Sequence, residues 1–164
     1  MMRGAVADVT ITYLAIEDPA AIRPAAPPRM QAEIERVDPP DGELSQWFYS
    51  AVGGAYAWTD RLDDDEATWQ AHAERVETWV ATVGAQRAGY FELREEDGNV
   101  EIAFFGLLQP YHGVGLGGHL LTVALRRGFE LGHRVWLHTN TLDGPAALPN
   151  YQARGMVVYR TETA

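Results

Sequence analysis

Alternating apolar and polar residues predict three consecutive strands in the middle of the chain. The segments are 76–83, 87–94 and 100–108, and short polar turns at 84–85 and 95–99 separate them. Gly98 in the second turn can adopt the positive φ that tight hairpins require. Because both turns are short, we predict that the three strands form an antiparallel meander.

The remaining pattern predicts an alternation of strands and helices. Further strands are predicted at 6–16, 30–37, 134–139 and 156–159, and helices at 43–52, 67–73, 116–131 and 145–154. Apolar residues at helical spacing give the helix over 116–131 one continuous inner face. The strand–helix–strand order in the C-terminal part indicates a parallel strand pair, so we predict a mixed α/β (α+β) fold. A chain of 164 residues is expected to form a single domain over 1–164.

The charge and composition exclude several functional classes. The chain has 13 basic residues, all of them arginine, against 23 acidic ones, and it contains no lysine and no cysteine. These absences exclude a phosphate-binding Walker lysine, a Schiff-base lysine and thiolate metal sites. The net charge of −10 disfavours nucleic acid as a partner and suits a cationic small molecule. No apolar run reaches 18 residues and the N-terminus lacks the order of a signal peptide, so we expect no membrane span and a cytoplasmic protein.

The acidic run at 63–66 has two interpretations. Carboxylates are favoured at a helix N-terminus by the helix dipole, and a helix is predicted directly after the run. A metal site would need further ligands, and no nearby histidine lies at a spacing typical of metal ligands. We therefore predict a helix N-terminus here and no metal.

The glycine-rich segment 109–121 is the most informative part of the sequence. A predicted strand leads into four glycines within residues 113–118, and the glycines open the helix over 116–131. The first N–H groups of a helix have no internal partner, and the helix dipole makes this end positive. Glycines let a ligand approach the backbone closely, so the segment predicts a cradle for phosphate oxygens.

Several alternatives explain the glycines less well. A Walker loop would need Gly-Lys-Ser/Thr, which is missing. Gly113, Gly115 and Gly118 satisfy the dinucleotide pattern G-x-G-x-x-G, but only 46 residues follow, and His138 stands where an acidic residue is expected. A tight turn without a ligand would require one glycine rather than four.

The segment is similar to the signature of the GNAT superfamily of acetyl-CoA-dependent N-acetyltransferases, Gln/Arg-x-x-Gly-x-Gly/Ala. His112, Gly115 and Gly117 stand at these positions, with histidine replacing the usual Gln or Arg. The resemblance implies a single domain with a strongly twisted sheet of about six or seven strands flanked by helices. It also implies that the main chain of Leu107 and Leu108 lines the pantetheine arm of acetyl-CoA. The amides that would hold the pyrophosphate are those of Gly113, Val114, Gly115, Leu116, Gly117 and Gly118.

The resemblance extends to a second signature, Asn-x-x-Ala-x-x-x-Tyr-x-x-x-Gly-Phe. Ala147, Tyr151 and Gly155 match it, while Gly144 stands at the Asn position and Met156 replaces Phe. Asn140, four residues before Gly144, is then the candidate for a cofactor contact. The segments 51–54 and 58–62 resemble an uncharacterised bacterial branch of the family.

Two residues are candidates for proton transfer. Histone-type members of the family commonly keep a glutamate base eleven residues before the position of His112, and here this is Glu101. Its apolar neighbours in the strand should also desolvate the carboxylate and raise its pKa; the alternative is a glutamate that faces solvent. Tyr151 stands at the family's tyrosine and is the candidate acid for the departing sulfur; the alternative is a tyrosine that fills the core. A main-chain N–H near Leu107 or Leu108 could stabilise the carbonyl oxygen if the strand bulges there.

An aromatic cluster with one acid in the front half of the chain could bind an ammonium group, although core packing also explains such residues. Its members are Trp47, Tyr49, Tyr56, Trp58 and Asp60. His119 and His138 are interpreted as structural.

Together these observations predict transfer of an acetyl group from acetyl-CoA to a primary amine of a small molecule or peptide. The resemblance also allows a homodimer. A non-catalytic acyl-CoA-binding or sensing module and an NAD-binding fragment remain as alternatives.

Overall fold

The computed structural model describes residues 8–56 and 58–163, and these residues form seven strands and four α-helices. The strands are β1 (Thr10–Ile16), β2 (Glu33–Arg36), β3 (Glu77–Val83), β4 (Gln86–Glu96), β5 (Asn99–Leu107), β6 (Arg134–Asn140) and β7 (Val157–Thr163). The helices are α1 (Gly42–Gly53), α2 (Glu66–Arg75), α3 (Leu116–Leu131) and α4 (Ala147–Ala153). The predicted mixed α/β fold with six or seven strands is confirmed.

The seven strands form one sheet in the order β2-β3-β4-β5-β6-β1-β7. β3, β4 and β5 are antiparallel neighbours, so the predicted meander is confirmed. Among the described strands, β5 and β6 form the one parallel pair, and they pair only from Asn99↔Arg134 to Glu101↔Trp136. Beyond Glu101 the two strands separate and the sheet splits.

A β-bulge in β5 lies at this split. Glu92 of β4 pairs with Phe104, whereas the next residue, Leu93, pairs with Ile102. Ala103 is therefore the extra residue of β5. Bulges bend a strand and increase its local twist, so the bulge turns the end of β5 away from β6.

Helices pack on both faces of the sheet. On one face, α3 buries Leu120, Leu121, Ala124 and Leu125 completely against the central strands. On the other face, α1 places Phe48 against Tyr90 of β4, with ring centroids 4.7 Å apart. In the part of the chain that the structure describes, no helix is both long enough and apolar enough to cross a bilayer.

Some predicted boundaries were wrong by a few residues. Of the strand predicted at 6–16, residues 6 and 7 lie outside the described residues and β1 begins at Thr10. The last strand continues to Thr163 rather than ending at 159, because β7 pairs along the length of β1. α4 begins at Ala147 rather than 145, and Gly144 before it adopts a φ of +91° that a helix does not allow.

Candidate active site

A cleft of about 1610 Å³ opens where β5 and β6 separate. Residues of β5 beyond Glu101 form one wall, and the end of β6 with the following loop forms the other. The cleft extends from the glycine loop before α3 to the helices α1 and α2.

The glycine loop presents unpaired main-chain N–H groups to this cleft. Gly113 and Gly115 have φ of +76° and +83°, a conformation that favours glycine, and Gly115 is the N-cap of α3. Within the described chain, none of the N–H groups of residues 113–118 donates a hydrogen bond to another protein group. Gly113, Gly115, Gly117 and Gly118 line the cleft. The positive end of a 16-residue helix therefore opens into it.

The main chain at the end of β5 is partly committed to protein contacts. The N–H of Leu108 donates to the carbonyl of Ala88 at 2.8 Å. The carbonyl of Leu107 accepts from Nε2 of His112 at 3.0 Å, since a carbonyl can only accept. The role considered for an N–H near Leu107 or Leu108 required a bulge there, and the bulge of β5 is instead at Ala103, which lines the cleft.

Glu101 lies in the cleft at the point of the split, with its side chain about one-fifth exposed. Burial raises the pKa of its carboxyl, and the charge of Glu96 acts in the same direction. The charges of His138 and Arg94 lower this pKa but do not cancel the effect of burial. A carboxylate with a raised pKa is better suited to accept a proton at neutral pH than an ordinary glutamate.

Tyr151 also lines the cleft, from the side of α4. Its ring is buried and meets Phe105 edge-to-face at 6.1 Å. Burial raises the pKa of the Tyr151 phenol well above its usual value, and the charge of Asp143 adds to this effect. The phenol therefore keeps its proton throughout the neutral range.

Asp143 is a cleft residue that the sequence analysis missed. Its Oδ1 accepts from the indole N–H of Trp58 at 3.2 Å, and its Oδ2 accepts from Thr139 Oγ1 at 2.6 Å and from the Asn140 N–H at 3.0 Å. It raises the pKa of the Tyr56 phenol, for which burial is the larger cause. The one signal in the sequence that could have identified Asp143 is that it directly precedes Gly144, the first position of the second signature.

The structure brings most of the candidate acceptor residues to the cleft. Tyr56, Trp58 and Asp60 line it, and the Tyr56 ring stacks on His112 with centroids 6.3 Å apart. Trp47 does not line the cleft, because it packs against Phe48 and beneath the guanidinium of Arg87. Asn140 lines the cleft, and its Oδ1 accepts from the N–H of Leu142.

A buried polar cluster next to the cleft was also missed. Glu92 of β4 is 1% exposed and contacts Ser45 of α1, His72 of α2 and Thr78 of β3 through its carboxylate. The signal in the sequence was a single charged residue within the otherwise uncharged run 88–93.

The acidic run at 63–66 provides the cap of a helix, as predicted. Asp65 is the N-cap of α2 and accepts from the N–H of Thr68 at 2.8 Å. Among residues 8–56 and 58–163, no three His, Asp or Glu side chains converge in a way that could hold a metal ion.

A split sheet with a helix N-terminus at the mouth of the split defines the class to which the molecule belongs. A model of the acetyltransferase (GNAT) family matches residues 38–156, which is more than half of the chain. The chain therefore belongs to the acetyltransferase (GNAT) family, and acyl transfer is the class of reaction that this membership supports.

Solved structures share the fold. A GCN5-related N-acetyltransferase from Sphaerobacter thermophilus is 20% identical with a TM-score of 0.69, over 95% of this chain and 50% of that one. One from Kribbella flavida is 21% identical with a TM-score of 0.65, over 94% and 58% of the two chains. A GNAT-family acetyltransferase from Streptococcus pneumoniae is 21% identical with a TM-score of 0.57, over 76% and 86%.

The chain is shorter than several proteins that share its fold. It spans 60%, 50% and 58% of the length of the first three solved structures that it matches. No curated protein matches its sequence significantly.

Proposed function

We propose that the protein transfers an acetyl group from acetyl-CoA to a primary amine of a small molecule or peptide. One observation carries the proposal: unpaired N–H groups at residues 113–118 open into a cleft that leads to Glu101, where β5 and β6 separate. A diphosphate bound at one end of such a cleft would use the unpaired N–H groups, and a thioester reacting at the other end would lie beside Glu101.

The glycine loop suits the diphosphate of the donor. Main-chain N–H groups at a helix N-terminus bind phosphate oxygens without needing lysine, which this chain lacks. A Cβ added at Gly113 would meet no atom within 4 Å, and one added at Gly117 would meet Leu107 and Asn150 only at ordinary contact distance. A Cβ at Gly118 would instead collide with Arg154 and Ala25, so the room for a ligand lies at the earlier glycines. The residues proposed to hold this group are His112 and the main chain of residues 113–118.

The arm of the donor would lie between the separated strands. Leu107 and Asn140 line the cleft on opposite sides of the split. The N–H of Leu108 is already bonded to Ala88, so contacts from this residue would come from its other atoms. Acetyl-CoA supplies the activated acetyl group as a thioester.

Glu101 and Tyr151 are the proposed proton-transfer residues. Glu101 accepts a proton from the acceptor ammonium, directly or through water, which frees the nitrogen lone pair to form the new C–N bond. Tyr151 donates its phenolic proton to the sulfur as the C–S bond breaks, and the second proton lost by the nitrogen restores the phenol through solvent. One proton is released overall, and the products are an amide and a thiol.

The acceptor is proposed to enter on the side of α1 and α2. Tyr56 and Trp58 offer aromatic faces to an ammonium group, and Asp60 offers a negative charge in the same part of the cleft.

Calorimetry with acetyl-CoA and a screen of amines test the proposal together. We expect acetyl-CoA to bind below millimolar concentration, and release of free thiol in the presence of at least one amine. Glu101→Gln should lower turnover by about 10²-fold or more with little change in affinity for acetyl-CoA. Binding of acetyl-CoA with slow hydrolysis and no amine acetylated would instead identify an acyl-CoA-binding module, and no binding would reject the proposal.

A further inference from the structure

We propose that Arg61 binds a carboxylate of the acceptor, so that the substrate is an amine that carries a carboxylate several bonds away, such as an ω-amino acid or the side-chain amine of lysine. The inference rests on the proposed acetyl transfer. Arg61 and His72 line the same cleft as Glu101, on the side of α1 and α2. A chain of hydrogen bonds from the buried Glu92 holds the Arg61 guanidinium in place there.

The series of hydrogen bonds begins at Glu92, whose carboxylate accepts hydrogen bonds from donors on three elements. Its Oε2 accepts from Ser45 Oγ at 2.6 Å and from Thr78 Oγ1 at 2.7 Å, and its Oε1 lies 2.7 Å from Nε2 of His72. A buried carboxylate needs such partners, and losing one would leave a charge without compensation. Glu92 therefore fixes the position of the His72 ring.

The partner of the other ring nitrogen, Nδ1, determines which nitrogen of His72 carries the proton. Nδ1 lies 2.8 Å from Nη1 of Arg61, and a guanidinium can only donate. Nδ1 must therefore carry the lone pair, and the proton is on Nε2, which donates to Glu92. The neutral His72 transmits the orientation of Glu92 to Arg61.

Two further contacts hold the Arg61 guanidinium. Nε donates to Oδ2 of Asp64 at 2.8 Å, and the guanidinium carbon lies 4.5 Å from the centre of the Trp69 ring. Nε and one N–H of Nη1 are thus used, while the second N–H of Nη1 and both of Nη2 have no partner among the described residues. These remaining donors belong to one planar fork, which matches the two oxygens of a carboxylate.

The surrounding charges favour a singly charged anion. Asp60 and Asp65 line the same side of the cleft, and Asp64 pairs with Arg61. These acids would repel a phosphate dianion more strongly than a carboxylate. Phe104 lies three residues after Glu101 in β5 and pairs with Glu92 of β4. Its ring meets the His72 ring edge-to-face, with centroids 5.7 Å apart. The amine at Glu101 and the carboxylate at Arg61 would therefore lie on either side of Phe104, separated by the length of three strand residues, or ~10 Å. An α-amino acid is too short for this separation, so the carboxylate must lie several bonds from the reacting amine.

Turnover of acceptors that differ only in having a carboxylate or a carboxamide tests the inference. Linear ω-amino acids of increasing chain length, together with L-lysine, and the carboxamide of each are compared as acceptors by thiol release. We expect acids to exceed their amides in kcat/KM by about 10- to 100-fold, the value of a hydrogen bond to a charged group. Arg61→Gln should remove this preference by raising KM for the acids with little change in kcat, while Arg61→Lys should restore part of it.

The positioning residues have their own readout. Glu92→Gln should reduce the acid-over-amide preference through a higher KM for the acids, whereas a merely structural role would alter the kinetics of acids and amides alike. Arg75→Gln, which alters another arginine of the cleft wall, should keep the preference. Equal rates for acids and amides in the wild type, or a preference that survives Arg61→Gln, would overturn the inference.

A binding measurement separates this inference from the proposed function. In protein labelled with ¹⁵N-arginine, the Nε–H resonance of Arg61, assigned with Arg61→Lys, should shift when the amino acids are added and not when their amides are. This shift requires no turnover and no acetyl-CoA, so it can succeed where acetyl transfer fails. No shift with the acids, or an equal shift with the amides, rejects a carboxylate site at Arg61.

Discussion

Oε2 of Glu101 lies 3.9 Å from Nε2 of His138, across the last point at which β5 and β6 run side by side. Glu101 belongs to β5 and His138 to β6, two residues beyond the partner of Glu101. The contact joins the two strands where they begin to separate. Burial raises the pKa of the proposed base, and the charges around this contact adjust it.

The pH dependence of activity should follow the charges that face Glu101. Burial raises the pKa of this carboxyl, so kcat/KM should rise with pH through a value above that of an ordinary glutamate. Arg94 lowers this pKa, and Arg94→Gln should move the rising limb to higher pH. Glu96 raises it, and Glu96→Gln should move the limb to lower pH. Profiles at saturating acetyl-CoA measure both shifts, and shifts in the same direction would contradict the assignment of Glu101.

The Tyr151 hydroxyl should matter for turnover more than for folding. Tyr151→Phe keeps the ring that packs against Phe105 and removes only the proton donor. We expect kcat to fall by about 10²-fold, with the melting temperature and the affinity for acetyl-CoA nearly unchanged. Tyr159→Phe, which changes an exposed tyrosine of β7, is the matched control. An unchanged kcat would mean that Tyr151 only fills the core.

A substitution at Gly113 tests whether the backbone conformation of the glycine loop is needed for acetyl-CoA binding. A Cβ at Gly113 would meet no atom within 4 Å, but its φ of +76° is strained for alanine by about 1–2 kcal/mol. Gly113→Ala should lower the stability by this amount or shift the loop, and should weaken acetyl-CoA binding. Gly54→Ala is the control, because a Cβ there is equally unobstructed and its φ of −57° suits any residue. Calorimetry should show weaker binding for the first variant only.

The contact of Glu77 with Arg127 should stabilise the fold in a pH-dependent way. Burial opposes ionisation of Glu77, but hydrogen bonds from Arg127 and Trp79 and the charges of Arg127 and Arg36 outweigh it, so its pKa lies below the usual value. Glu77→Gln should cost about 1–2 kcal/mol near pH 7.

The sign of the pH effect follows from the lowered pKa. The stabilisation by Glu77 should be complete above the pKa of an unfolded glutamate and should disappear as the pH falls through the lower folded value. Urea unfolding of wild type and Glu77→Gln between pH 7 and 3 measures this. A difference that stayed constant down to pH 3 would exclude the carboxylate as its source.

Local patterns predicted the elements well, and long-range contacts explain the errors. The meander and α3 followed from alternation and helical spacing, which depend on neighbours in the sequence. The end of β7 was misplaced because its length is set by pairing with β1, about 150 residues away. Trp47 was placed with the acceptor residues because its aromatic character alone does not show which side of α1 faces the cleft.

The sequence by itself determined the order of the elements and the glycine loop at the start of α3, whereas the roles of Glu101 and Tyr151 stay predictions. Each of these depends on residue type and short spacing. Only the tertiary structure placed the bulge at Ala103, brought Asp143 within hydrogen-bond distance of Trp58 and connected Glu92 through His72 to Arg61. These contacts join residues from different elements, and their distances depend on how the strands and helices pack, which no local pattern specifies.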